Sequence, residues 1–105
     1  MPLTQEQTTD LVRRIVETVR PLRIILFGSA ARGDDSPRSD VDVLVVMPDG
    51  THRRETARRI YRGLSGFIAP VDVVVATISD MENYRDSPGL IYREALRNGR
   101  VLYAA

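Results

Sequence analysis

Asp40 and Asp42 open an otherwise apolar run, DVDVLVVM. Side chains alternate along a strand, so both carboxylates point to one face, about 7 Å apart. Such like charges repel and aspartate is a poor strand former, so the pair is costly without a cation between them. A Mg²⁺ ion takes one or two carboxylates together with phosphate oxygens and would satisfy both residues. An isolated Asp-x-Asp is more often a solvated strand entrance with no further role. Asp72 changes that balance. It lies between Val71 and Val73 in a second apolar run, VDVVVA, where an unpaired charge is expensive. It could instead sit at a strand end and bond to neighbouring backbone. If the two runs are adjacent strands, Asp40, Asp42 and Asp72 form one acidic site around a pair of metal ions.

Gly28-Ser29 supplies the complementary half. Glycine lets backbone approach a phosphate closely, and a hydroxyl with exposed N–H groups binds its oxygens. A helical turn over Ala30–Gly33 would point its positive end at the same anion. Arg32 and Arg38 flank this segment, either neutralising a triphosphate or lying solvated. His52, near the start of a helix, reads as an exposed residue rather than a catalytic one. Arg54, Arg58 and Arg62 fall on one helical stripe. The stripe is either an electropositive docking surface for protein or RNA, or a solvated face on which Glu55 pairs with Arg59. Tyr84, Tyr92 and Tyr103 read as partial core packing.

Composition removes most competing chemistry. The chain of 105 residues has no Cys, one His and fifteen basic residues, all of them Arg. Thiolate nucleophiles, zinc fingers, Walker A lysines and Schiff-base mechanisms are thereby excluded. The net charge of +1 gives no field steering the chain to DNA or to a membrane. No apolar stretch approaches a membrane span, and the polar N-terminus lacks the order of a signal peptide. A soluble, cytoplasmic, single domain over residues 1–105 is expected.

The elements that must carry these residues follow from periodicity. Thr4 and Gln7 have the spacing of a capping box, ahead of a helix from about Gln5 to Arg20 with Leu11, Val12, Ile15, Val16 and Val19 at helical intervals. Strands are expected at Arg23–Phe27, Asp40–Met47 and Val71–Ala76. A second helix, about Thr51–Leu64, carries Ala57, Ile60, Tyr61 and Leu64 on one face. Ser79 and Glu82 offer a capping box for a short helical piece. A last helix starts at Ser87-Pro88 and ends at Asn98-Gly99, with Gly99 in a left-handed turn. Arg100–Tyr103 suits a small final strand. The resulting fold class is α/β (α+β), a small mixed sheet with helices mainly on one face.

Gly28-Ser29, ten intervening residues and then Asp40-x-Asp42 resemble the signature of the polymerase-β-like nucleotidyltransferase superfamily. Asp72 resembles the third carboxylate that those enzymes carry on a later strand. Ser39 just before Asp40, the short chain and the C-terminal REALRNGRVLY resemble the minimal nucleotidyltransferases, the MNT antitoxins often encoded beside a HEPN-domain toxin. The resemblance implies catalytic and metal-binding roles for Asp40, Asp42 and Asp72, and nucleotide binding by Gly28, Ser29 and Ser39. It implies two Mg²⁺ ions, with Mn²⁺ as the alternative, and transfer of a nucleoside monophosphate, AMP from ATP before other nucleotides. Two such ions would clamp the α-phosphate, one lowering the pKa of the acceptor hydroxyl and the other stabilising pyrophosphate. Asp72 is then the candidate general base. The implied acceptor is a hydroxyl of a HEPN-domain partner, with no direct DNA or membrane binding. Two other outcomes remain open on the residues: an antitoxin that only masks its toxin, and a small-molecule nucleotidyltransferase of the antibiotic-modifying kind.

Overall fold

Thr4 caps the first helix as its spacing predicts: its hydroxyl accepts the Gln7 N–H at 3.1 Å, and the Gln7 side chain accepts the Thr4 N–H at 2.9 Å. The helix, α1 (Gln5–Val19), ends where Arg20 turns left-handed at φ 50° ahead of Pro21. The computed structural model describes residues 3–28, 41–85, 87 and 91–105. Within them the chain continues through β1 (Arg23–Phe27), β2 (Val41–Met47), α2 (Arg53–Gly63), β3 (Val71–Thr77), α3 (Ile78–Tyr84), α4 (Ile91–Asn98) and β4 (Arg100–Ala104). The expected start of the last helix at Pro88 lies outside the described residues.

The sheet order is β3-β2-β1-β4. β1 runs antiparallel to β2 and β4, whereas β2 and β3 are parallel and joined through α2. The sheet is therefore mixed, as expected. Strand alternation divides it into two faces. Ile24, Leu26, Val41, Val43, Val45, Met47, Val73 and Val75 pack with Leu11, Ile15 and Val19 of α1 and with Ile60 and Leu64 from α2 and its cap. Each such buried side chain contributes roughly 1.5–3 kcal/mol. On the other face Ile25, Phe27, Leu44, Val46 and Ala76 pack beneath Ala95 of α4, with Met81, Ile91 and Tyr92 at the margin. The two longer helices thus share one face and the two short ones partly cover the second.

Two local expectations need correction. The box that opens α3 is Thr77 with Asp80, not Ser79 with Glu82. β3 runs one residue beyond the apolar run and brings Thr77 to the helix start, while the Ser79 hydroxyl and N–H are taken by Asp49 at 2.7 and 2.9 Å. Gly99 ends α4, but not through a left-handed turn: among the described residues the glycines with positive φ are Gly28, Gly50 and Gly66. Its constraint is space, since a Cβ there would overlap the Ala95 carbonyl and the Ile25 side chain.

Candidate active site

Parallel pairing sets Asp42 directly opposite Asp72 at the starts of β2 and β3. In-register residues on adjacent strands point to the same face with backbones about 4.8 Å apart. That face is the one carrying Leu44, Val46 and Ala76, hence α3 and α4 rather than α1 and α2. A bond from the Val41 N–H to the Pro70 carbonyl, 3.0 Å, fixes the two strand starts together. The antiparallel neighbour pairs Phe27 with Asp42, so Gly28 leaves β1 beside the same carboxylate. Three distant segments converge at one end of the sheet.

Gly28 is required twice over. Its φ is +76°, and a Cβ there would stand 2.5 Å from Asp42 Oδ2 and 3.3 Å from its Cγ. Asp42 is half-buried and Asp72 exposed. Among the described residues Asp72 makes no hydrogen bond or ion pair. Two oxygen-donor carboxylates side by side, one open to solvent, fit a hard divalent cation such as Mg²⁺. Asp42 and Asp72 alone do not complete a cluster, and no group of three metal-ligating side chains occurs among the described residues. Asp40, Ser29 and Ser39, with Arg32 and Arg38, lie outside those residues.

Tyr61 is a participant that sequence reasoning missed. Its spacing with Ala57, Ile60 and Leu64 placed it on the core face, yet it is 46% exposed. Its hydroxyl accepts the Val73 N–H at 2.8 Å, plugging the outer edge of β3 one residue beyond Asp72. A tyrosine at helical spacing carries no signal of that role, which depends on the strand order.

Several other polar residues serve structure. His52 caps α2, its Nδ1 accepting the Glu55 N–H at 3.1 Å, and it is exposed. Glu55 does not pair with Arg59; it faces Arg58 at 3.6 Å and Arg62 at 4.0 Å, while Arg59 donates to the Thr18 carbonyl at 2.8 Å. That carbonyl lies on α1, packed beside α2, and draws Arg59 away. Tyr84 stacks on Tyr92 with ring centroids 5.9 Å apart, and Tyr103 packs at the margin of the larger core. A cavity of about 450 Å³ lined by Leu22, Val46, Ile78, Met81 and Leu96 includes none of the candidate site residues. Among the described residues no helix is long and apolar enough to cross a membrane.

Comparison with known proteins bears on this geometry. A protein from Burkholderia thailandensis, "Bifunctional uridylyltransferase/uridylyl-removing enzyme", is 41% identical over 58 residues, covering 52% of this chain and 7% of that protein. "Putative protein adenylyltransferase MJ0141" of Methanocaldococcus jannaschii is 38% identical over 56 residues, 53% of this chain and 56% of that protein. The chain thus matches about half the length of one curated relative and a small part of the other. The fold is shared with a solved complex of a tri-AMPylated Shewanella oneidensis HEPN toxin and its MNT antitoxin. There the TM-score is 0.60 at 19% identity, covering 98% of this chain and 74% of the other. The family model described as "Nucleotidyltransferase domain" matches residues 9–102, and with β1, β2, β3, Gly28 and the paired aspartates falling inside that span, the chain belongs to the nucleotidyltransferase-domain family.

Proposed function

We propose that the protein is a metal-dependent adenylyltransferase that moves AMP from ATP to a hydroxyl of a protein partner, acting as the antitoxin of a cytoplasmic HEPN/MNT pair. The observation that carries this reading is the register of Asp42 against Asp72 beside Gly28. The name of the Methanocaldococcus jannaschii relative and the AMPylated toxin of the Shewanella oneidensis complex support the choice of AMP and of a protein acceptor. Gly28, Ser29 and Ser39 are assigned to the nucleotide phosphates, and Asp40, Asp42 and Asp72 to two Mg²⁺ ions, with Mn²⁺ as a substitute. When bound, such ions supply charge neutralisation for the triphosphate and a more acidic acceptor hydroxyl.

The chain's own groups account for the rest. Asp72, exposed at the sheet edge, can accept the proton of an incoming hydroxyl. The acceptor oxygen bonds to the α-phosphorus, the bond from that phosphorus to the bridging oxygen breaks, and pyrophosphate leaves. Gly28 keeps backbone close to the phosphates without displacing Asp42. The test is intact mass of the toxin encoded beside this protein after incubation with ATP, Mg²⁺ and a substoichiometric amount of this chain. The expected result is a toxin heavier by one or more AMP units that stays inactive after the chain is removed. An unmodified toxin that regains activity on separation points to masking, and modification of an aminoglycoside-type small molecule instead points to the antibiotic-modifying class.

A further inference from the structure

The outer face of α2 carries three exposed arginines at successive turns, Arg54, Arg58 and Arg62. Their Cα atoms span about 12 Å, eight residues at 1.5 Å rise. Two other exposed arginines of the same helix have partners on neighbouring elements: Arg53 on Asp80 at 2.8 Å and Arg59 on the Thr18 carbonyl at 2.8 Å. The three on the stripe are held weakly. Glu55 faces Arg58 at 3.6 Å and Arg62 at 4.0 Å, with the arginine side chains 63% and 73% exposed. Arg54 makes no hydrogen bond or ion pair among the described residues. The stripe is therefore rich in guanidinium groups that no internal contact requires.

Its position relates it to the site. Arg62 adjoins Tyr61, whose hydroxyl holds the β3 edge at Val73, next to Asp72. A molecule seated along the stripe lies against the helix whose C-terminal half flanks the β3 edge, with Asp72 on that edge pointing to the sheet face opposite α2.

We infer that this face docks an acidic helical segment of the acceptor protein, with carboxylates one turn apart opposite Arg54, Arg58 and Arg62. This rests on the proposal that the acceptor is a protein. The interval of four residues on α2 matches the same interval on a partner helix, and guanidinium with carboxylate forms forked, charge-assisted hydrogen bonds. Glu55 decides against nucleic acid: a continuous phosphate chain following the stripe meets that carboxylate, whereas a protein helix can set a basic or hydroxyl residue opposite it. The net charge of +1 also lacks the broad positive field that phosphate binding draws on.

The experiment is a ¹⁵N–¹H NMR titration of the full chain, with no chemistry required. Three probes are compared: an alanine-based helical peptide with Glu at every fourth position, its Glu→Gln counterpart, and a single-stranded RNA of equal charge. The expected result is movement of the Arg54, Arg58 and Arg62 Nε–H and nearby amide signals with the Glu peptide alone. In Arg58→Ala/Arg62→Ala the dissociation constant should rise about tenfold, since each exposed pair contributes about a two- to fivefold factor. Arg20→Gln/Arg23→Gln, at the α1 cap and the start of β1 rather than on α2 and likewise removing two charges, should bind as the parent does. Stationary signals, equal loss in the Arg20/Arg23 variant, or stronger movement with RNA each overturn the inference. Because binding is read without nucleotide, a failure of AMP transfer leaves this result separate.

Discussion

The strands β2 and β3 begin and end beside aspartates, and the two pairs are treated in opposite ways. At the C-terminal ends Asp49 accepts the Ser79 N–H and hydroxyl, and Asp80 accepts the Thr77 N–H at 3.0 Å and Arg53 at 2.8 Å. The Ser79 bonds hold the Asp49 carboxyl below its ordinary 3.8. Burial by itself would raise Asp80, but the Thr77 N–H, Arg53 and the Thr77 hydroxyl outweigh it and lower that carboxyl too. At the N-terminal ends Asp42 and Asp72 face each other in register, with Asp72 open to solvent. One pair is consumed by folding. The other stands in register at the opposite ends of the same strands, with Asp72 exposed and making no hydrogen bond or ion pair among the described residues.

The contrast is sharpest on substitution. Asp42→Ala should lower AMP transfer by about two orders of magnitude or more with the fold retained. Transfer assays and circular dichroism on the same preparation check this, and unimpaired transfer removes Asp42 from the site. Asp80→Ala should do the reverse, costing about 1 kcal/mol through the lost helix cap with transfer unchanged. A comparable loss of activity there would erase the distinction between the two ends.

Acid adds a second axis. A carboxyl whose folded pKa is depressed stabilises the native state above its unfolded value, and that gain is lost as pH falls through the folded one. Thermal stability should therefore decline as pH drops below about 3.8, the ordinary carboxylate value of Asp49 and Asp80. In Asp49→Asn/Asp80→Asn the decline should be shallower, with melts from pH 6 to 2 as the measurement. Asp10, lowered first by its bond to Arg13 and also by Arg14, contributes in both proteins. Tyr61→Phe should leave transfer unchanged and cost about 0.5–1.5 kcal/mol for one lost hydrogen bond. Faster hydrogen exchange at the Val73 amide is its direct sign.

Sequence made the sheet legible wherever β-branched residues ran together: β1 falls on its expected residues and β3 extends one further. It also singled out Asp42 and Asp72 as costly strand residues and Gly28 as a point of close approach, and the fold sets the three at one end of the sheet. The exact partner of Asp42 was not legible, because parallel register depends on how α2 seats against the sheet rather than on residues within either strand. Competition decided the α3 start: two overlapping boxes have equal spacing, and only Asp49, thirty residues before Ser79, settles which hydroxyl caps. Tyr61 escaped notice for a similar reason. Its hydroxyl has a partner only once β3 is known to be an edge.

The parallel pairing of Asp42 with Asp72 also works as a gauge of completed folding. Antiparallel β1 and β2 can meet early, but β3 must close a loop of thirty residues through α2 before its ladder forms, a slow kind of contact. A slip of one residue would turn Asp72 to the opposite face and set a valine against Asp42. Chains trapped in such a register would keep much of their secondary structure and have no paired carboxylates. Activity would then appear with the last non-local contacts, so a refolding experiment that follows transfer should lag one that follows helix signal.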